Sequence, residues 1–328
     1  MAERVALTGI TGYIGQHCGA ELLNQGYQVV GTVRSRERAD ATRSAIAAVA
    51  PVDRLSFVEA DLLSDDGWDV AIQGCDYVAH VASPFIVAAP KNESELVAPA
   101  VEGTRRVIAA AQRAGVKRFV LTSSTLSMIA GKDGGPYGPE SWSDINAKIG
   151  AYSKSKTLAE RAAWDAVAEG EMELTVINPG PVFGPSLGAT ADGQSVATMT
   201  DMVSGKIPMI PDMAMGMVDV RDVARLHVKA LTSDGAAGKR FIAATADPIE
   251  MTTVARVLRE AGFNKVPTRK APTVALKIMG LFDREMKGML PMLGKKARLD
   301  NRSTFDVLDW EPTPMETSFK EMAAAVAA

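Results

Sequence analysis

Val5-Ala6-Leu7-Thr8-Gly9-Ile10-Thr11-Gly12-Tyr13-Ile14-Gly15 is the stretch on which the fold turns. An apolar run leads into glycines spaced G-x-x-G-x-x-G, and a helical pattern follows. Gly9 and Gly12 allow a tight turn whose backbone can approach a pyrophosphate, and Gly15 lets the helix pack closely on the strand. The first amides of that helix and its dipole favour an anion. Three glycines alone make only a turn. Standing between a strand and a helix, they predict a dinucleotide loop in which Gly9, Thr11, Gly12, Tyr13, Ile14 and Gly15 meet the cofactor.

Outward from this loop, β-branched runs at 5–8, 28–33, 55–59, 77–80, 118–123 and 173–178 alternate with helical patterns at 14–25, 36–49, 93–114 and 151–169. Short apolar strands separated by helices predict an α/β chain with a doubly wound parallel sheet, a Rossmann fold. The pattern breaks after Pro179. A Gly/Pro-rich loop at 179–193 precedes a segment carrying Met199, Met202, Met209, Met213, Met215 and Met217, and a second group holds Met279, Met286, Met289 and Met292. Methionine fills irregular gaps in a core and also lines adaptable pockets, so both roles stay open. Segments 218–231 and 239–244 return to the sheet pattern. The expected organisation is a nucleotide-binding domain at 1–178 plus about 217–247, with a smaller, discontinuous C-terminal substrate lobe at about 179–216 plus 248–328.

An NAD site carries an acid at the end of the second strand, about 20 residues beyond the glycines, for the ribose 2′-hydroxyl. Here the segment reads Val29-Val30-Gly31-Thr32-Val33-Arg34-Ser35-Arg36, with no acid before Glu37. The guanidinium of Arg34, helped by Arg36 or Arg38, suits a 2′-phosphate as a fork. NADP(H) is therefore expected over NAD(H). Asp61 and Leu62 follow the third strand on the adenine side, Asp61 being also a candidate helix cap. Val81, Ala82 and Ser83 follow the fourth strand, on the carboxyl edge where open α/β sheets bind ligands. His80 reads as structural.

Tyr152 and Lys156 stand at i and i+4, on one face of the helix beginning near Gly150. A phenol with a pKa of about 10 is a poor acid–base group at neutral pH. A neighbouring ammonium, with an oxidised nicotinamide close by, stabilises tyrosinate. Y-x-x-x-K is common in surface helices. It gains weight from Thr122-Ser123-Ser124 at the end of strand five, where a serine hydroxyl can bond a substrate oxygen on which charge develops.

Together these motifs resemble the extended short-chain dehydrogenase/reductase family, within the NAD-dependent epimerase/dehydratase superfamily. The likeness is strongest to the dihydroflavonol 4-reductase and cinnamoyl-CoA reductase group with its microbial aldehyde and ketone reductases. It rests on the glycine loop, Gly31-Thr32-Val33-Arg34, Ala60-Asp61-Leu62, the run from Gly74 to Pro84, the run from Tyr152 to Trp164, and Val218-Asp219-Val220-Arg221-Asp222-Val223-Ala224. It spans roughly residues 3 to 265. The resemblance implies that Ser124, Tyr152 and Lys156 form a catalytic triad. Tyr152 would protonate the alkoxide during reduction, Lys156 would hold the nicotinamide ribose, and Ser124 would orient the carbonyl. Pro179 through Val182 would touch the nicotinamide. Two departures bear on substrate. Ile129 stands where flavonoid reductases carry Asn, and Pro181 precedes Val182-Phe183-Gly184-Pro185 where epimerases commonly carry Asn. A less polar aldehyde or ketone fits better than a flavonoid or a nucleotide sugar.

Composition narrows the remaining classes. The 328 residues carry 36 basic and 39 acidic side chains, a net charge of −3, too near neutral for an electrostatic nucleic-acid binder. Two cysteines and three scattered histidines suit neither a disulfide framework nor a metal cluster. With no signal-like or membrane-spanning run, a reduced, cytoplasmic, metal-free protein is expected, as a monomer or homodimer. The leading expectation is an NADPH-dependent carbonyl reductase acting on a small aldehyde or ketone. The alternatives are a nucleotide-sugar epimerase or dehydratase with tightly held NAD, and a non-enzymatic dinucleotide sensor, which would have no need to keep Ser, Tyr and Lys together.

Overall fold

The computed structural model describes residues 2–84, 90, 92–188 and 193–327; residues 189–192 of the Gly/Pro-rich loop lie outside the described residues. Strands β1 (Arg4–Thr8), β2 (Gln28–Val33), β3 (Leu55–Glu59), β4 (Tyr77–His80) and β5 (Arg118–Thr122) are followed by a short β6 (Gly134–Tyr137) and by β7 (Glu173–Pro179). After the two-residue strands β8 (Val182–Phe183), β9 (Ala214–Met215) and β10 (Val218–Asp219) comes β11 (Arg240–Ala243). Seven of these form one sheet in the order β11-β7-β5-β4-β1-β2-β3, with every pair parallel. The expected doubly wound sheet is thus present. Its chain order reverses between β1 and β4, which opens a crevice at their carboxyl ends.

Strand periodicity sorts the side chains onto two faces. Val5, Leu7, Val29, Tyr77, Ala79, Val120 and Ile177 enter one core, while Ala6, Val30, Val78, Phe119, Leu121, Leu174 and Val176 enter the other. The helices are α1 (Tyr13–Asn24), α2 (Glu37–Ala47), α3 (Trp68–Ile72), α4 (Ser94–Arg113), α5 (Leu126–Ile129), α6 (Ala151–Val167), α7 (Gln194–Ser204) and α8 (Val220–Thr232). Leu22 and Leu23 of α1 and Val223 and Leu226 of α8 fill the first core. Trp68 of α3, Val107 and Ile108 of α4, and Ala163 of α6 fill the second. The short α3 carries too little periodicity to stand out in sequence; Trp68 anchors it, donating its indole N–H to the carbonyls of Asp61 and Ser64.

Beyond β11 the chain adds β12 (Ile249–Glu250) antiparallel to β9, α9 (Met251–Glu260), α10 (Thr273–Met279), α11 (Arg284–Met289), β13 (Ala297–Leu299) parallel to β6, α12 (Arg302–Leu308) and α13 (Met315–Ala327). The two methionine groups part company here. Met199, Met202, Met213 and Met217 are buried core side chains, whereas Met286, Met289 and Met292 are half-buried and Met279 is exposed. No helix among the described residues is long and apolar enough to cross a membrane.

The seat of α1 on β1 tolerates no added atom. A Cβ on Gly15 would stand 2.0 Å from the carbonyl oxygen of Gly9 and 2.9 Å from the Cα of Ile10. Backbone cannot step aside as a side chain end would. Gly15→Ala should lower stability by about 1–3 kcal/mol, measured as a lower urea midpoint with the slope preserved. An unchanged midpoint would show that α1 can lift from the strand without cost.

Candidate active site

The glycine loop forms a tight cradle. Gly9 has φ of +70° and its missing side chain leaves room for Ala82, whose Cα and amide nitrogen would lie 2.8 Å from a Cβ there. The Gly12 amide donates to the Gly9 carbonyl at 3.0 Å, and Gly12 then caps the start of α1. The loop, Val81, Ala82 and Ser83 therefore meet at the β1–β4 crevice, held by the Ala82 amide donating to Thr8 Oγ1 at 3.1 Å. Tyr13 offers a cofactor only its backbone, since its buried hydroxyl donates to the Gly184 carbonyl at 2.7 Å. Thr11 and Ile14 stay half-buried on the loop.

At the far end of β2 the picture is mixed. Arg34 is exposed. Beside it lies a cavity of about 370 Å³ lined by Val33, Arg36, Ala39, Asp40, Phe57 and Glu59. Glu59 was not singled out in the sequence, although parallel pairing of β2 with β3 sets Val33 opposite Glu59. Its carboxylate accepts the Arg36 backbone amide at 2.9 Å. An acid does stand beside the end of β2, but it arrives from β3. Asp61 accepts the Leu63 amide at 2.9 Å, which makes it a turn residue, and Leu62 packs against Gly103 of α4.

Ser124, Tyr152 and Lys156 come together at the carboxyl edge. Ser124 Oγ accepts the Leu126 amide at 3.2 Å and hydrogen-bonds the Tyr152 hydroxyl. Burial pushes the Tyr152 phenol up to about 12, against the pull of Ser124. The Lys156 Nζ stands 6.0 Å from the centroid of the Tyr152 ring, and burial brings its ammonium down to about 8, partly opposed by Glu160. Lys156 is 7% exposed, and no hydrogen bond to its ammonium is found among the described residues. A nearly buried ammonium in that state is a ready partner for ribose hydroxyls. Pro179 ends β7 with its carbonyl accepting the Thr125 amide at 2.9 Å, and Val182 is buried in β8. Ile129 packs with Met128, Ile242, Ala297 and Leu299 in a small core of its own.

Two buried histidines pin the strand ends. His227 Nδ1 donates to the Val223 carbonyl at 2.7 Å, so its Nε2, 2.6 Å away, accepts the Thr122 hydroxyl. His80 Nδ1 lies 2.8 Å from Thr8 Oγ1, and its Nε2 has no partner among the described residues. Among the described residues no cluster of three or more His, Cys, Asp or Glu side chains could hold a metal ion. The sequence reading also missed Glu160, Arg240 and Asn178, which interlock beneath Ser124.

Residues 5–244 match the model of the NAD dependent epimerase/dehydratase family. The chain belongs to that family. Cinnamoyl-CoA reductase CAD2 of Medicago truncatula is 32% identical over 327 residues, covering 97% of this chain and 93% of that protein. The putative NADPH-dependent methylglyoxal reductase GRP2 of Candida albicans is 32% identical over 280 residues, 78% of this chain and 82% of that one. Among solved structures, Gre2 of Candida albicans in complex with NADPH has a TM-score of 0.81 at 25% identity, covering 99% of this chain and 98% of that chain. The yeast methylglyoxal/isovaleraldehyde reductase Gre2 complexed with NADPH has a TM-score of 0.80 at 24% identity, with 98% of each chain covered. The family resemblance read from the motifs is borne out.

In this member of the family, burial pushes all three histidines below their ordinary value, His17 and His227 to about 4 and His80 to about 3. The folded state holds them neutral while the unfolded chain binds protons below about 6.5. Their contribution to stability is therefore flat above that pH and falls as pH drops toward 4. The slope should reach up to about 4 kcal/mol per pH unit if all three act. Urea midpoints at pH 7, 6, 5 and 4.5 check this, and midpoints that hold level down to pH 4.5 would refute it.

Proposed function

We propose that this chain is an NADPH-dependent carbonyl reductase that converts a small aldehyde or ketone to an alcohol. One observation carries the reading: the Tyr152 phenol, hydrogen-bonded to Ser124 with the Lys156 ammonium beside its ring, sits on the same sheet edge as a glycine cradle that a single Cβ would fill. Among the relatives named above, GRP2 is a putative NADPH-dependent reductase by name and Gre2 of Candida albicans was solved in complex with NADPH, which supports it. NADPH, when bound, supplies the hydride. The glycine loop with Val81, Ala82 and Ser83 would seat the dinucleotide, Arg34 would meet the 2′-phosphate, and Lys156 would hold the nicotinamide ribose beside Pro179 and Val182. Residues 179–216 and 248–328 would form the substrate lobe around the nucleotide-binding residues 1–178 and 217–247.

Each side chain has a definable task. Ser124 donates to the carbonyl oxygen as negative charge gathers there. Tyr152, a phenol held protonated at neutral pH, gives its proton to that oxygen as it becomes the alkoxide. The Lys156 ammonium stabilises the tyrosinate left behind, which takes its next proton from solvent. Ile129, buried in an apolar cluster, offers no polar group, and the half-buried Met289 and Met292 would suit a substrate of low polarity. Near them, Gly288 and Pro291 come within 3.7 Å of where a Cβ on Gly150, at the start of α6, would stand.

Oxidation of NADPH, followed by its ultraviolet absorbance against methylglyoxal, isovaleraldehyde and aromatic aldehydes and ketones, tests the activity. A flat panel would sink it. Tyr152→Phe should keep the fold and cofactor affinity and lose about 10²–10⁴-fold in kcat; a loss below about tenfold would remove Tyr152 as proton donor. Arg34→Ala should weaken NADPH by about 10 to 150-fold and leave NADH nearly unchanged. Equal losses for both cofactors would show that Arg34 does not read the phosphate.

A further inference from the structure

Glu160 stands one helical turn beyond Lys156 on α6, with its side chain fully out of solvent. Donors from four other elements converge on this one carboxylate. Ser123 Oγ at the end of β5 lies 2.5 Å from Oε2, Ser127 Oγ of α5 2.6 Å, and Asn178 Nδ2 of β7 2.9 Å. Arg240 Nε of β11 donates to Oε1 at 2.5 Å. Arg240 is secured in turn by donating to the carbonyls of Pro139 and Ser141 at 2.6 and 2.7 Å, with its guanidinium 3.9 Å from the centroid of the Trp142 ring. Three of the tied residues adjoin a member of the site: Ser123 precedes Ser124, Asn178 precedes Pro179 and donates to the Ser124 carbonyl at 3.3 Å, and Glu160 shares a small cavity with Lys156.

Resting on the reading of Ser124, Tyr152 and Lys156 as the working site, we propose that Glu160 is its positioning residue: one buried carboxylate clamps the serine strand end, the Pro179 loop and α6 together and keeps a negative charge facing the Lys156 ammonium. Arg240 holds the clamp from behind. The ionisable groups around Lys156 are Tyr152 and Glu160 of α6 and the neutral His80 of β4; Thr104 of α4 and Leu121 and Thr122 of β5, which also line the shared cavity, carry no ionisable side chain. Burial pulls the Lys156 ammonium toward losing its proton, and Glu160 opposes that pull. A carboxylate whose whole purpose was to join secondary structures would stabilise the fold without setting the charge on Lys156.

NADPH affinity across pH 7 to 10, read from nicotinamide fluorescence, separates the two roles without needing a substrate, and it lies above the titration of the 2′-phosphate itself, near 6. The wild-type affinity should fall as pH rises through the Lys156 value, and Lys156→Met should flatten the profile. Glu160→Gln removes the charge at nearly constant shape and should move the midpoint down by about one pH unit. If an amide facing Arg240 prevents folding, Glu160→Gln combined with Arg240→Gln removes both charges together, and a smaller downward shift is expected, because Glu160 lies nearer Lys156 in the chain and on the same helix face. A midpoint unmoved in either variant, with a flattened Lys156→Met profile, overturns the role of Glu160. A wild-type profile that is flat, or one that Lys156→Met leaves intact, overturns the reading of Lys156, and the proposal falls with it.

Discussion

The close seat of helix α1 on the end of strand β1 is the constraint from which the site follows. A helix can approach a strand this nearly only where no side chain intervenes, and Gly15 against the Gly9 carbonyl meets that condition. The approach turns the first amides of α1 toward the crevice where the sheet reverses its winding. Gly9 repeats the device on the other side, where its backbone lies against Ala82 at the end of β4. Two strand ends and one helix start are thereby drawn together around a space the width of a backbone contact.

A parallel sheet delivers all its carboxyl ends to one edge, so the polar groups that finish each strand crowd into one buried layer. The chain fastens that layer with side chains. Thr8 is joined to His80, Thr122 to His227, and Ser123 to the carboxylate of Glu160. Burial keeps the histidines neutral and the Tyr152 phenol protonated, and draws the Lys156 ammonium toward neutrality. The low polarity that stabilises the sheet holds the Tyr152 proton in place but works against the charged Lys156 that the proposed chemistry uses. Glu160 and Arg240 are the one closely joined ion pair at this depth among the described residues, and several donors offset the cost of burying the carboxylate.

Much of this was legible in the residues alone, because it depends on local spacing. The G-x-x-G-x-x-G loop between a strand and a helix, the alternation of short apolar runs with helices, and Tyr152 one turn from Lys156 are all consequences of periodicity within a few residues. Strands 28–33, 55–59 and 77–80 match β2, β3 and β4 residue for residue. What tertiary structure alone decided are the meetings between distant segments. Glu59 reaches the end of β2 because β3 pairs in register with it, so a search for an acid downstream of the glycines passes over it. Tyr13 fits the loop motif by position, yet its hydroxyl is taken by Gly184, 171 residues away. Glu160 finds Arg240 across 80 residues and Asn178 across 18, and in sequence each is an unremarked polar residue. Local order follows from the backbone's own geometry, while a buried charge acquires its partner only when the sheet order brings β11, β7 and β5 under the same helix.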